Sequence, residues 1–205
     1  MMIKTDNLPI YSDSKELAHT DNEEIRTFGF WIYLMSDIIL FSVLFAAYAV
    51  LGSNYADGPT PKELFSLPYV FVETMFLLLS NASCSSVLPA AEASKKIKVL
   101  SWLVVTFLLG AGFITMEINE FYRMIMENYG PERSGFLSSF FTLVGTHGFH
   151  VVSGLVWIGV MIGQVMTKGI TVPVRSRLMR LSMFWHFLDI VWVGVFTLVY
   201  LMGVL

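Results

Sequence analysis

Phe28–Leu51 reads FGFWIYLMSDIILFSVLFAAYAVL, an apolar run with a single charge, Asp37. A helix rises 1.5 Å per residue, so about twenty apolar residues cross a hydrocarbon layer roughly 30 Å thick. This stretch is long enough, and its one acid needs a partner inside protein rather than lipid. Four more stretches meet the same test: Leu67–Ala90, Val99–Ile118, Phe136–Met166 and Leu181–Leu205. The expected fold class is therefore all-α, a polytopic transmembrane bundle of five helices over residues 28–205, preceded by a polar tail at residues 1–27.

Composition agrees with that class. The 205 residues are 55% hydrophobic and only 14% charged, with a mean hydropathy of +0.66; soluble domains have about a quarter charged residues. A net charge of −3 without any basic run gives no footprint for nucleic acid. The loops between the apolar runs are too short to fold as a soluble catalytic domain. One cysteine, Cys84, leaves no intrachain disulfide and reads as a small packing residue. The tail has no early apolar run, so the first span is expected to act as an uncleaved signal-anchor. Turn formers at 54–61 and 129–134, with Pro173, separate the helices.

Direction follows from the basic residues. Lys4, Lys15, Arg26, Lys95, Lys96, Lys98, Lys168, Arg175, Arg177 and Arg180 fall on one side, leaving three of the 13 on the other: Lys62, Arg123 and Arg133. That asymmetry predicts a cytoplasmic N-terminus and a periplasmic C-terminus.

Each span has a polar stripe at helical spacing: Tyr33, Asp37 and Tyr48; Glu73, Ser80 and Cys84; Thr106, Gly110, Glu117 and Glu120; His147, His150, Gly154 and Trp157; His186 and Asp189. Asp37 and Asp189 lie roughly 12–14 Å from the cytoplasmic boundary. The same reckoning puts His147 at that level and His150 and His186 about a turn nearer the cytoplasm. Two acids and three histidines are thus expected to meet near mid-membrane, with Glu73, Glu117 and Glu120 nearer the outer face. Three readings stand: a structural seam of His–carboxylate pairs, proton handling by groups that exchange protons near neutral pH, or haem or metal ligation by His147 or His150 with His186. Gly159 and Gly163 form a GxxxG that predicts a close helix contact. Trp102, Trp157 and Trp192 read as packing or interface residues.

Two blocks then become recognisable. Gly145–Gly154 (GTHGFHVVSG) resembles the GxHGxHV motif of subunit III of the haem–copper respiratory oxidases, and Phe184–Trp192 (FWHFLDIVW) resembles that subunit's WHFxDxVW. The first span is similar to the family helix bearing one intramembrane acid, with Asp37 where Glu is common. Glu117–Tyr122 (EINEFY) is similar to its acidic–aromatic segment, with Glu120 at the acidic position. Five spans and the Gly130–Phe141 stretch are most similar to the bo-type ubiquinol oxidase branch.

The resemblance implies a subunit of a complex that oxidises ubiquinol, reduces dioxygen to water and translocates protons across a bacterial inner membrane. Haem b, haem o (or a) and copper are expected in subunit I. Subunit III is expected to have no catalytic residue, metal or redox cofactor of its own. It would brace subunit I, bind phospholipid and support proton uptake, in a hetero-oligomer with subunits I, II and IV. The alternatives are subunit III of a menaquinol or cytochrome c oxidase, a self-contained membrane haem protein, or a proton-coupled transporter using Asp37 and Asp189.

Overall fold

The computed structural model describes residues 9–55, 64 and 66–204. Among them are the helices α1 (Pro9–Leu51), α2 (Leu67–Ser85), α3 (Val87–Glu92), α4 (Lys96–Met126), α5 (Gly135–Lys168) and α6 (Val172–Val195). A π-helical turn, Phe196–Leu201, and a short helix, α7 (Met202–Val204), follow. Five segments are long and apolar enough to cross a membrane: Glu24–Leu51, Leu67–Glu92, Lys96–Met126, Gly135–Lys168 and Val172–Leu201.

These helices outrun the apolar stretches that announce them. α4 continues past Ile118 to Met126, and α6 starts at Val172 rather than Leu181. Hydropathy marks only what lies in lipid, whereas a helix continues until a residue stops it. α4 ends where Asn128 adopts φ 61°, and Ser94 at φ 53° turns the chain before it. α5 starts on Ser134, whose hydroxyl accepts from the Leu137 N–H at 3.1 Å, and stops at Gly169, φ 70°. Pro68 and Pro173 occupy the first turns of α2 and α6, where a missing N–H costs nothing. α1 runs helically through residues 9–27, the stretch read as a tail, while residues 1–8 lie outside the described residues.

Two compact units result, Met1–Ile38 and Ile39–Leu205. In the second, α2 packs on α4 and α6, α4 on α5, and α5 on α6, closing a four-membered ring of helices. Lys96 Nζ reaches the Met166 carbonyl at 2.9 Å and Arg175 pairs with Glu92 at 3.0 Å at one end of the ring. At the other, the Phe136 N–H donates to the Asn54 carbonyl at 3.1 Å, and Phe136 meets Tyr48 and Tyr55 ring to ring.

The ring is locked by two indoles of α6. Trp185 Nε1 donates to Ser80 Oγ, and Trp192 Nε1 to Thr74 Oγ1, each at 3.1 Å. Ser80 and Thr74 pass their own protons to the Thr106 and Val70 carbonyls at 2.9 and 2.8 Å. Trp185 fits because Gly110 and Gly154 flank it. A Cβ on either glycine would lie 2.9 or 2.8 Å from the ring. The expected close contact at Gly159 and Gly163 is not made among the described residues, since a Cβ at either position meets nothing of them within 4 Å. Small residues permit an approach; a neighbour must still be there to use it.

Gly154→Ala is therefore expected to lower stability by about 1–3 kcal/mol through overpacking against Trp185. Gly159→Ala, on the same helix and in open space, should be neutral or stabilising by up to about 1 kcal/mol through helix propensity. Thermal unfolding of the two variants in detergent checks the opposite signs.

Candidate functional site

The buried polar side chains do not form one cluster. His186 and Asp189 lie one turn apart on α6 and both face Asn81 of α2. Asn81 Nδ2 donates to Asp189 Oδ2 at 2.7 Å, and Asn81 Oδ1 takes the proton of His186 Nδ1. That pattern sets the imidazole tautomer: Nδ1 holds the hydrogen, leaving Nε2 as the acceptor. Ser182 Oγ stands 3.3 Å from Nε2, able to donate to it, while Ser85 Oγ, 3.5 Å away, donates its proton to the Asn81 carbonyl at 3.1 Å. The expected direct His–carboxylate pairing is thus replaced, for this pair, by an amide that bonds to both partners, while Asp189 Oδ1 has no hydrogen-bond partner among the described residues.

His147 lies elsewhere. It is fully buried, stacked on Trp192 at 5.2 Å between ring centroids and edge-on to Phe113 at 6.0 Å. Neither ring nitrogen has a hydrogen-bond partner among the described residues. His150 turns its Nδ1 to the Thr146 carbonyl at 2.8 Å and packs on Phe41 at 5.3 Å. Phe41 also touches Phe187 of α6. The convergence expected from depth alone therefore fails for His147 and His186. Depth counts residues along an axis and takes no account of the direction in which each side chain points.

Glu73, Glu117 and Glu120 do come together. Glu117 and Glu120 are the carboxyls within electrostatic reach of Glu73. All three are at most 3% exposed. Tyr200 O–H donates to Glu120 Oε2 at 3.0 Å, placed there by the π turn. Gly148 of α5 makes room for Glu117, since a Cβ there would stand 2.5 Å from Glu117 Oε1. Asp37 belongs to the first unit, is 6% exposed and shares a side-chain hydrogen bond with Tyr33, one turn back on α1.

The structure places His147 and His186 in different surroundings. An axial pair needs two imidazole nitrogens aimed at one iron. His186 donates Nδ1–H to Asn81 beside Ser182, while His147 is flanked by Trp192 and Phe113. Among the described residues no three His, Cys, Asp or Glu side chains converge as ligands.

Sequence reasoning missed Asn81, Trp185 and Tyr200. Asn81 had a signal, an amide between Ser80 and a run of small residues in an otherwise apolar span. Trp185 sits inside the recognised WHF block yet reads as filler beside His186. Tyr200 had none, because its direction depends on a turn that hydropathy does not report.

Five helices long and apolar enough to cross a membrane, four of them closing a ring around a His–Asn–Asp contact and a carboxyl group, describe a polytopic membrane protein. The chain belongs to the cytochrome c oxidase subunit III family, whose model matches residues 16–204. It is 54% identical over 185 residues to the cytochrome bo(3) ubiquinol oxidase subunit 3 of Pseudomonas putida, covering 90% of this chain and 89% of that one. The Pseudomonas aeruginosa protein of the same name is 52% identical over 199 residues, 95% of each. The quinol oxidase subunit 3 of Bacillus subtilis is 41% identical over 184 residues, 90% of each.

Replacing Asn81 with Leu should leave Asp189 and His186 without their shared partner and cost about 1–3 kcal/mol. Denaturation in detergent measures it, and Asn81→Gln is expected to recover part of the loss. A Leu variant as stable as the parent would show that the amide contributes nothing.

Proposed function

We propose that the chain is subunit III of a bo-type ubiquinol oxidase, a member without a catalytic centre that braces subunit I. The observation that supports this best is the coextensive match to the Pseudomonas aeruginosa relative, 95% of each chain at 52% identity. In this reading subunit I holds haem b, haem o (or a) and copper, subunits II and IV complete the complex, and phospholipid lies against the apolar helix faces. The complex oxidises ubiquinol, reduces dioxygen to water and translocates protons across a bacterial inner membrane.

The same reading places the N-terminus in the cytoplasm and the C-terminus in the periplasm. Lys95, Lys96, Lys98, Lys168, Arg175 and Arg177 support it, since the Lys96–Met166 and Arg175–Glu92 contacts gather their loops at one end of the helix ring. Lys4 and Lys62, counted in the same tally, lie outside the described residues. Asp37 is the residue we assign to support of proton uptake, because an intramembrane carboxyl is costly to keep and marks function more often than packing. Glu73, Glu120, His147, His150, His186 and Asp189 are assigned to the internal polar seam that keeps the helices in register.

An affinity-tagged chain solubilised in mild detergent is expected to bring down a haem-containing subunit, and the complex should oxidise ubiquinol in preference to reduced cytochrome c. An intact chain that accompanies no haem protein would overturn the assignment; preference for cytochrome c would move it to that branch of the family. Asp37→Asn is expected to leave the haem spectrum of the assembled complex unchanged and to shorten the period over which turnover is sustained. Loss of the haem spectrum in a fully assembled complex would count against the role given to Asp37.

A further inference from the structure

The carboxyl group of Glu73, Glu117 and Glu120 has an unsolved hydrogen-bonding problem. Glu73 comes from α2, fully buried, and neither of its oxygens has a hydrogen-bond partner among the described residues. Glu117 and Glu120 of α4 are the carboxyls within its electrostatic reach. Glu117 Oε2 and Glu120 Oε1 are also without partners among the described residues. The described residues supply one donor, the Tyr200 hydroxyl on Glu120 Oε2. Arg123, one turn beyond on α4, is within electrostatic reach of Glu120, but its guanidinium extends to the Leu64 carbonyl at 3.5 Å.

Buried oxygens without donors cost several kcal/mol each if they stay dry, and native interiors meet that need with internal water where the site is polar and roomy enough. Room exists beside the group. Glu117 lines a groove of about 210 Å³ between α4 and α5, with Ile114, Ile118, Gly145, Gly148 and Phe149 as walls. Glu117 is the carboxyl in that lining, so the groove leads from the helix surface to the first acid of the group. A water molecule occupies roughly 30 Å³ and needs two to four polar partners. Four orphaned oxygens from two helices are a fitting set, whereas a lipid chain has no donor to offer them.

We propose that Glu73, Glu117, Glu120 and Tyr200 form an internal water-binding site, in which water entering past Gly148 bridges the Glu73 carboxyl to the Glu117–Glu120 pair. Water donates to the orphaned oxygens and accepts where a carboxyl offers a proton. The linked groups therefore share exchangeable protons across the α2–α4 interface. The site is separate from the His186–Asn81–Asp189 contact and does not rest on the role assigned to Asp37 or on the electron donor of the complex.

The test uses the chain in the intact membrane complex with which it purifies. Density maps at a resolution that shows ordered water elsewhere in the chain are expected to show it within hydrogen-bond distance of both Glu73 oxygens. In the infrared, a carboxyl carbonyl band is expected to shift on transfer from H2O to D2O, and Glu73→Gln should remove one component of the shifting band. Tyr200→Phe, which deletes a single donor, should move a second component and serves if the Gln variant fails to assemble. Carboxyls dry in such a map would overturn the proposal. So would a lipid headgroup or partner side chain filling the donor positions, or a band unmoved by D2O.

Discussion

An indole N–H buried where neither water nor lipid can accept from it must find an oxygen inside the protein. α6 brings two of them, Trp185 and Trp192, and α2 answers with Ser80 and Thr74. These bonds do more than satisfy the donors. They fix how far α6 slides along α2 and which face it turns inward, because a shift of one residue would break both at once. Other positions depend on that register: Gly110 and Gly154 admit Trp185, and Trp192 provides the surface on which His147 stacks. Hydrophobicity puts these helices in a membrane but cannot choose among their rotations.

Once α6 is fixed, the polar groups separate by chemistry. The basic side chain and the acid of α6 share one amide, so the His186–Asn81–Asp189 contact is bridged from within the bundle, with Asp189 Oδ1 left over among the described residues. The three glutamates lack such a mediator, and among the described residues Tyr200 alone donates to them. His147 is held by ring contacts rather than by hydrogen bonds. A seam that looks uniform as a row of charged letters is therefore three environments: one bridged by an amide, one beside a groove, and one aromatic.

The fold class was legible because apolar length is a one-dimensional property. Phe28–Leu51 and its four counterparts each had enough residues to span a bilayer, and helices long and apolar enough to do so account for all five. Helix ends were less legible, since α4 and α6 continue through residues whose polarity says only that lipid has ended. The grouping of Glu73 with Glu117 and Glu120 toward one end of the bundle could be reached by counting turns. The meeting of His147 with His186 could not, because it depends on azimuth. Asn81 escapes notice in the sequence for the same reason. Its value comes from facing Asp189 across a helix boundary, which no spacing within α2 reveals.

The π turn at 196–201 corrects the phase of the last helix. Trp185 and Trp192 are seven residues apart, nearly two full α-helical turns, so they share a face. Tyr200 comes eight residues after Trp192, and an uninterrupted α-helix would carry it roughly 80° away from that face. A π turn takes about one extra residue to complete its circuit, which rotates the later side chains back by roughly 100°. That returns the phenol to the side where Glu120 waits. The C-terminal segment is consequently keyed by its residue count: adding one further position between Phe196 and Tyr200 would keep the span apolar, helical and long enough, yet turn its acid-facing hydroxyl roughly 100° toward the wrong neighbour.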